Sequence, residues 1–200
     1  MVRVLAVSGK KRSGKDELFK TISDAHLTIP NYFEPCLVQR LSFGDAVKEE
    51  VARHILEPVF GISYEESLQE HMRDRLRALW QVWGTEARQG LSGKMYWAEQ
   101  LGLRLEAIQA LSPKDQDVLV VITDLRFRHE FEFLRKFNPC FVRVVRNIEQ
   151  ATDNHPSEVD LDDMPPDAWD EIILNNGSLV QYQNKVLDLY RRRFCFPKFV

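Results

Sequence analysis

The sequence predicts an α/β protein in which helices cover a parallel β-sheet. Three observations favour this class: short β-branched segments recur along the chain, longer segments of helical period separate them, and a glycine-rich loop follows the first. Of the 200 residues, 44% are hydrophobic and 28% are charged, which is typical of a folded globular protein and excludes a wholly disordered chain.

Five segments have the composition of buried strands, and they cover residues 3–7, 38–43, 118–123, 141–145 and 171–174. Consecutive strands are separated by segments long enough for a crossover, which is the connection that parallel strands need. We therefore expect one five-stranded parallel sheet, flanked by helices, in a single domain that spans residues 1–200.

The segments between the strands repeat apolar residues every three or four positions, which predicts helices that bury one face. The first of these helices contains Leu18 and Ile22, directly after the glycine-rich loop. The last is predicted over residues 178–193, with Tyr182 and Val186 on its buried face and three arginines at its C-terminal end.

Two stretches interrupt the alternation of strands and helices. Residues 44–112 contain no strand pattern, which predicts an insertion of about three helices between the second and third strands. Residues 146–170 are rich in aspartate and proline, and this stretch is either a lid or a plain surface loop.

Charge and hydropathy exclude several classes of partner. The chain carries 27 basic and 30 acidic residues, so its net charge of −3 favours neither a nucleic acid polymer nor an anionic membrane. The longest apolar run, residues 118–122, is far shorter than the roughly 20 residues of a membrane-spanning helix. We interpret the first residues as part of the fold, and three scattered cysteines favour the reducing cytoplasm.

A loop with the Walker A pattern G-x-x-x-x-G-K lies between the first strand and the first helix. The loop and the residue after it are Gly9, Lys10, Lys11, Arg12, Ser13, Gly14, Lys15 and Asp16. In this context the glycines let successive backbone N–H groups point inward at a phosphate, and the lysine reaches the outer phosphates. The pattern predicts binding of a nucleoside triphosphate; a glycine-containing turn with a basic surface is the alternative.

Asp16 stands where this motif usually has the Ser or Thr that binds magnesium. A carboxylate there binds the ion directly or through a water molecule. Asp124, at the end of the third strand, is placed like the second acidic ligand of such sites. The chain lacks the guanine-binding motif of GTPases, since Asn184-Lys185 is not followed by x-Asp.

An acceptor that carries a phosphate requires cations to neutralise it and to hold it in line with the donor. The candidates are Lys48, Arg73, Arg88 and Arg126. Trp83, which lies in the same predicted insertion as Arg73 and Arg88, is a further candidate. Lys48 follows the second strand, which we extend through Phe43, and lies at the carboxyl edge of the sheet, where α/β proteins bind ligands. A solvated helix face is the alternative for Lys48 and Arg73, and core packing is the alternative for Trp83.

Several motifs occur here in one order and spacing: the loop 9–16 with its aspartate, Trp83-Gly-Thr-Glu-x-Arg88, Ile122-Thr-Asp-Leu-Arg-Phe127, His155-Pro-Ser-Glu158 and Asn175-Asn-Gly177. Together they resemble the bacteriophage-type deoxynucleoside monophosphate kinases, from residue 4 to about 186. The loop and the Trp83 motif are also similar to animal phosphomevalonate kinases, which phosphorylate a different phosphate monoester.

The resemblance implies a P-loop NTPase fold of the nucleoside monophosphate kinase type, with ATP and Mg²⁺ as donor and cofactor. It implies transfer of the γ-phosphoryl group to a deoxynucleoside 5′-monophosphate, and a homodimer. We expect the apolar tail, with Phe194, Phe196 and Phe199, to contribute to the contact between subunits. A nucleotide-binding module without catalysis is the alternative from another functional class.

The resemblance also distributes roles over the sequence. Catalysis is expected from Lys15, Asp16, Asp124 and Arg126, with both aspartates on the metal. The donor base is expected beside Asn175 and Gly177. The expected acceptor site comprises Lys48, Trp83, Arg88, Asp124 and Arg126, to which we add Arg73. The expected lid residues are Arg143, Arg146, His155 and Glu158, although an exposed imidazole beside a helix start is the alternative for His155.

Overall fold

A computed structural model describes residues 1–28, 36–114, 116–147 and 156–194. The chain forms two compact units, Met1–Leu41 with Leu105–Val200 and Ser42–Arg104. The first unit contains the sheet, and the second corresponds closely to the predicted insertion over 44–112. The predictions for His155 and for Phe196 and Phe199 of the apolar tail lie outside the described residues, whereas Phe194 is the buried last residue of a helix in the first unit.

The first unit is built on five strands, which are β1 Val2–Ser8, β2 Cys36–Leu41, β3 Asp117–Leu125, β4 Cys140–Val145 and β5 Glu171–Leu174. They form one sheet in the order β2-β3-β1-β4-β5, in which every neighbouring pair is parallel. The predicted parallel sheet is therefore confirmed. Because β1 lies in the middle, its carboxyl end is where a ligand of such a sheet is expected.

Helices cover this sheet, as its buried strands require. In the first unit they are α1 Lys15–Thr28, α7 Arg128–Leu134, α8 Pro156–Val159 and α9 Leu179–Phe194, with 3₁₀ turns at Arg135–Phe137 and Pro166–Ala168. Leu18 and Ile22 of α1 pack with Tyr182 and Val186 of α9 in one core cluster. The strands contribute every second residue to this cluster, because alternate side chains of a strand point to the same face of the sheet.

The second unit spans residues 42–104, all of which the structure describes, and its regular elements are helices joined by short turns. Its elements are α2 Phe43–Val51, a π-helix Ala52–Phe60, α3 Tyr64–Ser67, α4 Glu70–Gln81, a π-helix Val82–Gln89, α5 Gly90–Ser92 and the first part of α6 Tyr96–Leu111. These are more segments than the three predicted, because Gly61 adopts a left-handed conformation and Ser63 caps a new helix.

The end of the second strand was predicted wrongly. The second strand ends at Leu41, and Phe43 is already the first residue of α2. Ser42 has extended backbone angles and occupies the N-cap position, where serine is favoured. Lys48 therefore lies in the second turn of α2, within the second unit. Among the described helices, none is both long and apolar enough to cross a membrane.

Candidate active site

The loop between β1 and α1 has the backbone of a phosphate cradle. Gly9, Arg12 and Gly14 have φ values of +152°, +63° and +111°. A Cβ atom on Gly9 would lie 2.4 Å from the carbonyl oxygen of Val144, and one on Gly14 would lie 2.6 Å from Nδ2 of Asn175. Both glycines are therefore required by space as well as by backbone conformation.

Two buried side chains hold this loop from outside. Nδ2 of Asn175 donates to the Ser13 carbonyl at 2.8 Å, and the Tyr182 hydroxyl donates to the Gly14 carbonyl at 2.8 Å. Burial, reinforced by the charge of Glu17, raises the pKa of Tyr182, so the hydroxyl stays a donor. Asn175 is thus brought to the loop, while its predicted place beside the donor base stays a prediction. Sequence analysis assigned Tyr182 to the core and missed this second contact.

Gly177 follows β5, just before α9 begins, and it packs against the side chain of Gln181. A Cβ atom there would lie 2.2 Å from the Gln181 side-chain oxygen, which itself accepts from the backbone of Ser178 at 2.9 Å. The structure therefore gives this glycine a role in the start of α9, and its contact with a donor base stays a prediction.

Lys15 is the buried cation of the loop. Its Nζ donates to the carbonyl oxygens of Gly9 and Lys10 at 2.6 and 2.8 Å. Burial, followed by the positive charge of Arg126, lowers the pKa of Lys15 to about 8, against the opposing charges of Glu158, Asp16 and Asp124. The ammonium group is thus held against its own loop and lies within the electrostatic reach of one other cation and three carboxylates.

Carboxylates of the acidic segment 156–163 contact the same loop. Oε1 of Glu158 accepts from Arg126 at 2.5 Å, and its Oε2 accepts from the backbone N–H of Lys11 at 2.9 Å. The Glu158 side chain is only 6% exposed. In this structure the Glu158 carboxylate therefore takes up a hydrogen bond from the loop backbone and one from the Arg126 guanidinium, both of which could otherwise bind an anion.

Asp162 repeats this arrangement at the edge of the loop. It accepts from Nζ of Lys10 at 2.7 Å and from Arg143 at 2.8 Å, while Arg143 also donates to the Leu161 carbonyl at 2.5 Å. Arg146 donates weakly to the Arg12 carbonyl at 3.5 Å. Of the predicted lid residues, the structure thus brings Arg143, Arg146 and Glu158 to the loop region.

Asp124 and Arg126 lie at the end of β3, where the strand pairs with β1. Strand β3 continues to Leu125, so Asp124 is still part of the strand and Arg126 is the first residue beyond it. A small pocket there is lined by Gly9 and Lys10 of the loop together with Arg126 and Glu158. The structure therefore places Arg126 at the mouth of the loop, while its predicted contact with the acceptor stays a prediction.

Glu130 holds the segment that carries Arg126. Its Oε2 accepts from the backbone N–H groups of Arg126 and Phe127 at 2.9 and 3.0 Å, across the start of α7. Burial, reinforced by the Asp124 charge, raises the pKa of Glu130 to about 8 despite these two donors. Glu130 is not among the residues predicted from the sequence, although its position three residues into α7, where a capping glutamate stands, was an available signal.

We expect Glu130→Gln to remove a pH dependence of stability. In the unfolded chain this carboxyl titrates at an ordinary, lower pKa, so between that value and about 8 the folded state binds more protons. The unfolding free energy of the wild type therefore falls as pH rises through this window. Between pH 5 and pH 8 the Tm of the wild type should fall by at least about 3 °C more than the Tm of the variant. For a protein of this size, that difference corresponds to about 1 kcal/mol of unfolding free energy.

The control is Glu132→Gln, since Glu132 lies in the same helix but is exposed and pairs with Arg135 at 2.9 Å. Its Tm should follow that of the wild type at every pH. Parallel curves for wild type and Glu130→Gln would show that Glu130 does not titrate in this range.

The second unit contains a separate polar cluster around Glu50 of α2. Its Oε1 accepts from Trp83 Nε1 at 2.9 Å and from Arg88 Nε, and its Oε2 accepts from the Tyr96 hydroxyl at 2.9 Å. The Arg88 guanidinium carbon lies 5.7 Å from the Trp83 ring centroid and 5.2 Å from that of Tyr96. Trp83 and Arg88, both predicted, are therefore brought together by Glu50 and Tyr96, which sequence analysis missed.

The other two predicted residues of this unit do not join that cluster. Nζ of Lys48 lies 3.3 Å from Asp45 and 5.7 Å from the ring centroid of Trp80. Nε of Arg73 donates to the Leu68 carbonyl at 2.9 Å from an exposed position. Trp83 also packs against the hydrophobic core of the unit, so the packing role that the sequence leaves as its alternative is observed for its ring.

Comparison with known proteins identifies relatives of this chain. Residues 38–186 match the family of deoxynucleotide monophosphate kinases. A deoxynucleotide monophosphate kinase of Escherichia phage RB69 is 32% identical over 117 residues, which are 58% of this chain and 45% of that protein. A putative deoxynucleotide monophosphate kinase of Acanthamoeba polyphaga mimivirus is 27% identical over 77 residues, which are 38% and 39% of the two chains.

Among solved structures, dephospho-CoA kinase from Campylobacter jejuni superposes with a TM-score of 0.50 at 13% identity, covering 96% of this chain and 97% of that one. This likeness supports the P-loop kinase fold. The matches to the two viral proteins span less than half the length of each. The phosphate loop lies outside the family match, so its geometry is a separate observation. With about three quarters of its residues matched, the chain belongs to the deoxynucleotide monophosphate kinase family.

Proposed function

We propose that this chain transfers the γ-phosphoryl group of ATP to the 5′-phosphate of a deoxynucleoside monophosphate, giving ADP and the deoxynucleoside diphosphate. The observation that carries the proposal is the loop 9–16, where two sterically required glycines curve the backbone around the buried Lys15 ammonium. Membership of the family supports a deoxynucleotide as the class of acceptor.

The donor phosphates take the place of internal partners in this loop. Lys15 exchanges the carbonyl oxygens of Gly9 and Lys10 for phosphate oxygens, which are stronger acceptors because they are charged. The backbone N–H of Lys11 exchanges the Glu158 carboxylate for phosphate. Arg126, which also leaves Glu158, then faces the phosphoryl group that is transferred.

Asp16 and Asp124 are the residues that would hold Mg²⁺. In the part of the chain that the structure describes, no three His, Cys, Asp or Glu side chains are grouped to bind a metal ion by themselves. Two carboxylates fit Mg²⁺ nonetheless, because this ion usually takes one or two carboxylates and fills its shell with phosphates and water. The bound ion would neutralise charge on the β- and γ-phosphates.

The acceptor needs no strong general base. A phosphate monoester is already an anion at neutral pH, so catalysis consists mainly of positioning and charge neutralisation. We assign binding of the acceptor phosphate to Arg88, whose guanidinium is oriented by a carboxylate and two aromatic rings. We also propose that the reaction takes place in the cytoplasm and supplies deoxynucleotide biosynthesis.

The proposal is tested by measuring ADP formation from ATP and Mg²⁺ with a panel of acceptors. The panel contains the deoxynucleoside monophosphates, the ribonucleoside monophosphates and mevalonate phosphate. We expect ADP formation that depends on at least one deoxynucleoside monophosphate, with the matching diphosphate as second product. ATP binding without acceptor-dependent ADP would indicate a binding module, and activity with mevalonate phosphate alone would overturn the assigned acceptor.

Glu158→Gln should tighten ATP binding. The carboxylate competes with phosphate for Lys11 and Arg126, and the amide that replaces it has no charge with which to compete or to repel phosphate. Loss of one repulsive charge at close range corresponds to about 1 kcal/mol, so the Kd for ATP without acceptor should fall about fivefold. The measurement is titration calorimetry at low salt.

The matched control is Asp163→Asn in the same acidic segment. Asp163 is 77% exposed and pairs with Arg128, which lies outside the loop. Its removal should leave the Kd for ATP unchanged. A Glu158→Gln variant that binds ATP more weakly would show that Glu158 supports the nucleotide site rather than competing for it.

A further inference from the structure

Glu50 of α2 is the acceptor for donors from three different residues of the second unit. Each oxygen of its carboxylate is engaged, one by Trp83 and Arg88 and the other by Tyr96. The side chain is 13% exposed, so a carboxylate stands inside a largely apolar unit. Burial works to raise its pKa, but the hydrogen bonds from Arg88, Trp83 and Tyr96 outweigh it and lower the pKa of Glu50 below its usual value.

The contact with Glu50 uses only one edge of the Arg88 guanidinium. Nε makes the hydrogen bond, and the planar group lies near the rings of Trp83 and Tyr96. No group among the described residues accepts a hydrogen bond from the two terminal nitrogens of Arg88. The side chain is 34% exposed, so this pair of nitrogens is accessible to a ligand.

Two parallel N–H donors on one planar cation are the geometry with which arginine binds a carboxylate or phosphate in a bidentate manner. An arginine on a flexible stem must be ordered when it binds, whereas this one is already ordered by three neighbours. A glutamine at position 50 would keep the volume but not the charge that holds Nε.

We propose that Glu50 is a positioning residue of the acceptor site: it fixes the Nε edge of Arg88, so that both terminal nitrogens are presented to the phosphate of the mononucleotide. Tyr96 and Trp83 assist by fixing Glu50 itself. This inference rests on the proposed function, because it names the acceptor phosphate as the anion that Arg88 binds.

The test uses the full chain and four variants: Glu50→Gln, Glu49→Gln, Arg88→Ala and the double variant Glu50→Gln/Arg88→Ala. Titration calorimetry gives the Kd for each deoxynucleoside monophosphate without ATP, and steady-state kinetics give kcat/KM for the acceptor and KM for ATP. Glu49 is the matched control, since it precedes Glu50 in α2 and pairs with Arg104 at 2.6 Å in a half-exposed position, away from Arg88.

We expect Glu50→Gln to raise the Kd and KM for the acceptor about tenfold, as for other directly coupled neighbours, and to leave the KM for ATP within about twofold. Glu49→Gln should behave as the wild type. In the Arg88→Ala background, Glu50→Gln should change kcat/KM for the acceptor by less than about twofold, because the residue through which it acts is absent.

Equal effects of Glu50→Gln in both backgrounds, or an equal rise in both KM values, would overturn the proposal, since a purely structural role acts without Arg88. The two assays separate this failure from failure of the proposed function. A wild type that binds mononucleotides in an Arg88- and Glu50-dependent manner but transfers no phosphate would refute the kinase activity alone. A wild type that binds none and transfers none would refute both.

Discussion

Replacement of Lys15 by methionine is expected to reduce kcat by about 10²–10³ at saturating ATP and acceptor. Methionine keeps the length of the buried stem but removes the ammonium group, which now bonds to the Gly9 and Lys10 carbonyls and would bond to phosphate oxygens during transfer. Because negative charge on the migrating group develops next to this position, the loss falls on the transition state more than on ATP binding.

The matched control for this variant is Lys20→Met, an exposed lysine in the same helix α1. It should retain wild-type turnover, and the Tm of both variants should show that the loop remains folded. Turnover of Lys15→Met near the wild-type rate would remove the loop from the mechanism, and with it the observation that carries the proposed function.

The sheet could be predicted from the sequence because its determinants are local. Strands β1 and β3 each carry an uninterrupted run of buried apolar residues, and β4 is rich in valine, so composition alone marks them. The end of β2 could not be located in the same way. Phe43 is apolar and buried in a helix as it would be in a strand, and only the cap at Ser42 distinguishes the two.

The phosphate loop could also be predicted, because its glycines, the preceding strand and the following helix are consecutive in the sequence, from Val2 to Thr28. What could not be predicted are contacts between distant segments. The bond between Lys11 and Glu158 joins residues 147 positions apart, and that between Gly14 and Tyr182 joins residues 168 apart. No local pattern marks a glutamate that will occupy a loop donor, so Glu158 was assigned only to the lid.

In the second unit, too, residues close in sequence could be predicted together, whereas a contact between distant residues could not. Trp83 and Arg88 are five residues apart in one π-helix, so a motif could reveal them together. Glu50 lies 38 positions before Arg88, in a helix that also carries Asp45, Lys48 and Glu49. Lys48 pairs with Asp45, and Glu49 pairs with Arg104. Sequence pattern offers no reason to select Glu50 from these four charged residues, and the distinction comes from packing against Trp83 and Tyr96.

Replacement of Arg126 by alanine is expected to reduce kcat about a thousandfold, the low end of the effect of arginines that neutralise a phosphoryl group in transfer. Arg126 stands directly after β3 at the mouth of the loop, and its charge already lowers the pKa of Lys15. Arg128→Ala is the matched control, because Arg128 lies two residues later, is exposed and pairs with Asp163 at 2.5 Å.

The ion pair between Arg126 and Glu158 allows a decisive comparison, because either partner can be removed. If Arg126 served only to anchor the acidic segment, Arg126→Ala and Glu158→Gln would break the same contact and have the same effect. We expect opposite effects. Loss of Glu158 frees a cation and a backbone donor for phosphate and so tightens ATP binding, whereas loss of Arg126 removes the cation itself and slows transfer. Two variants that both tighten ATP binding without loss of kcat would assign Arg126 a structural role.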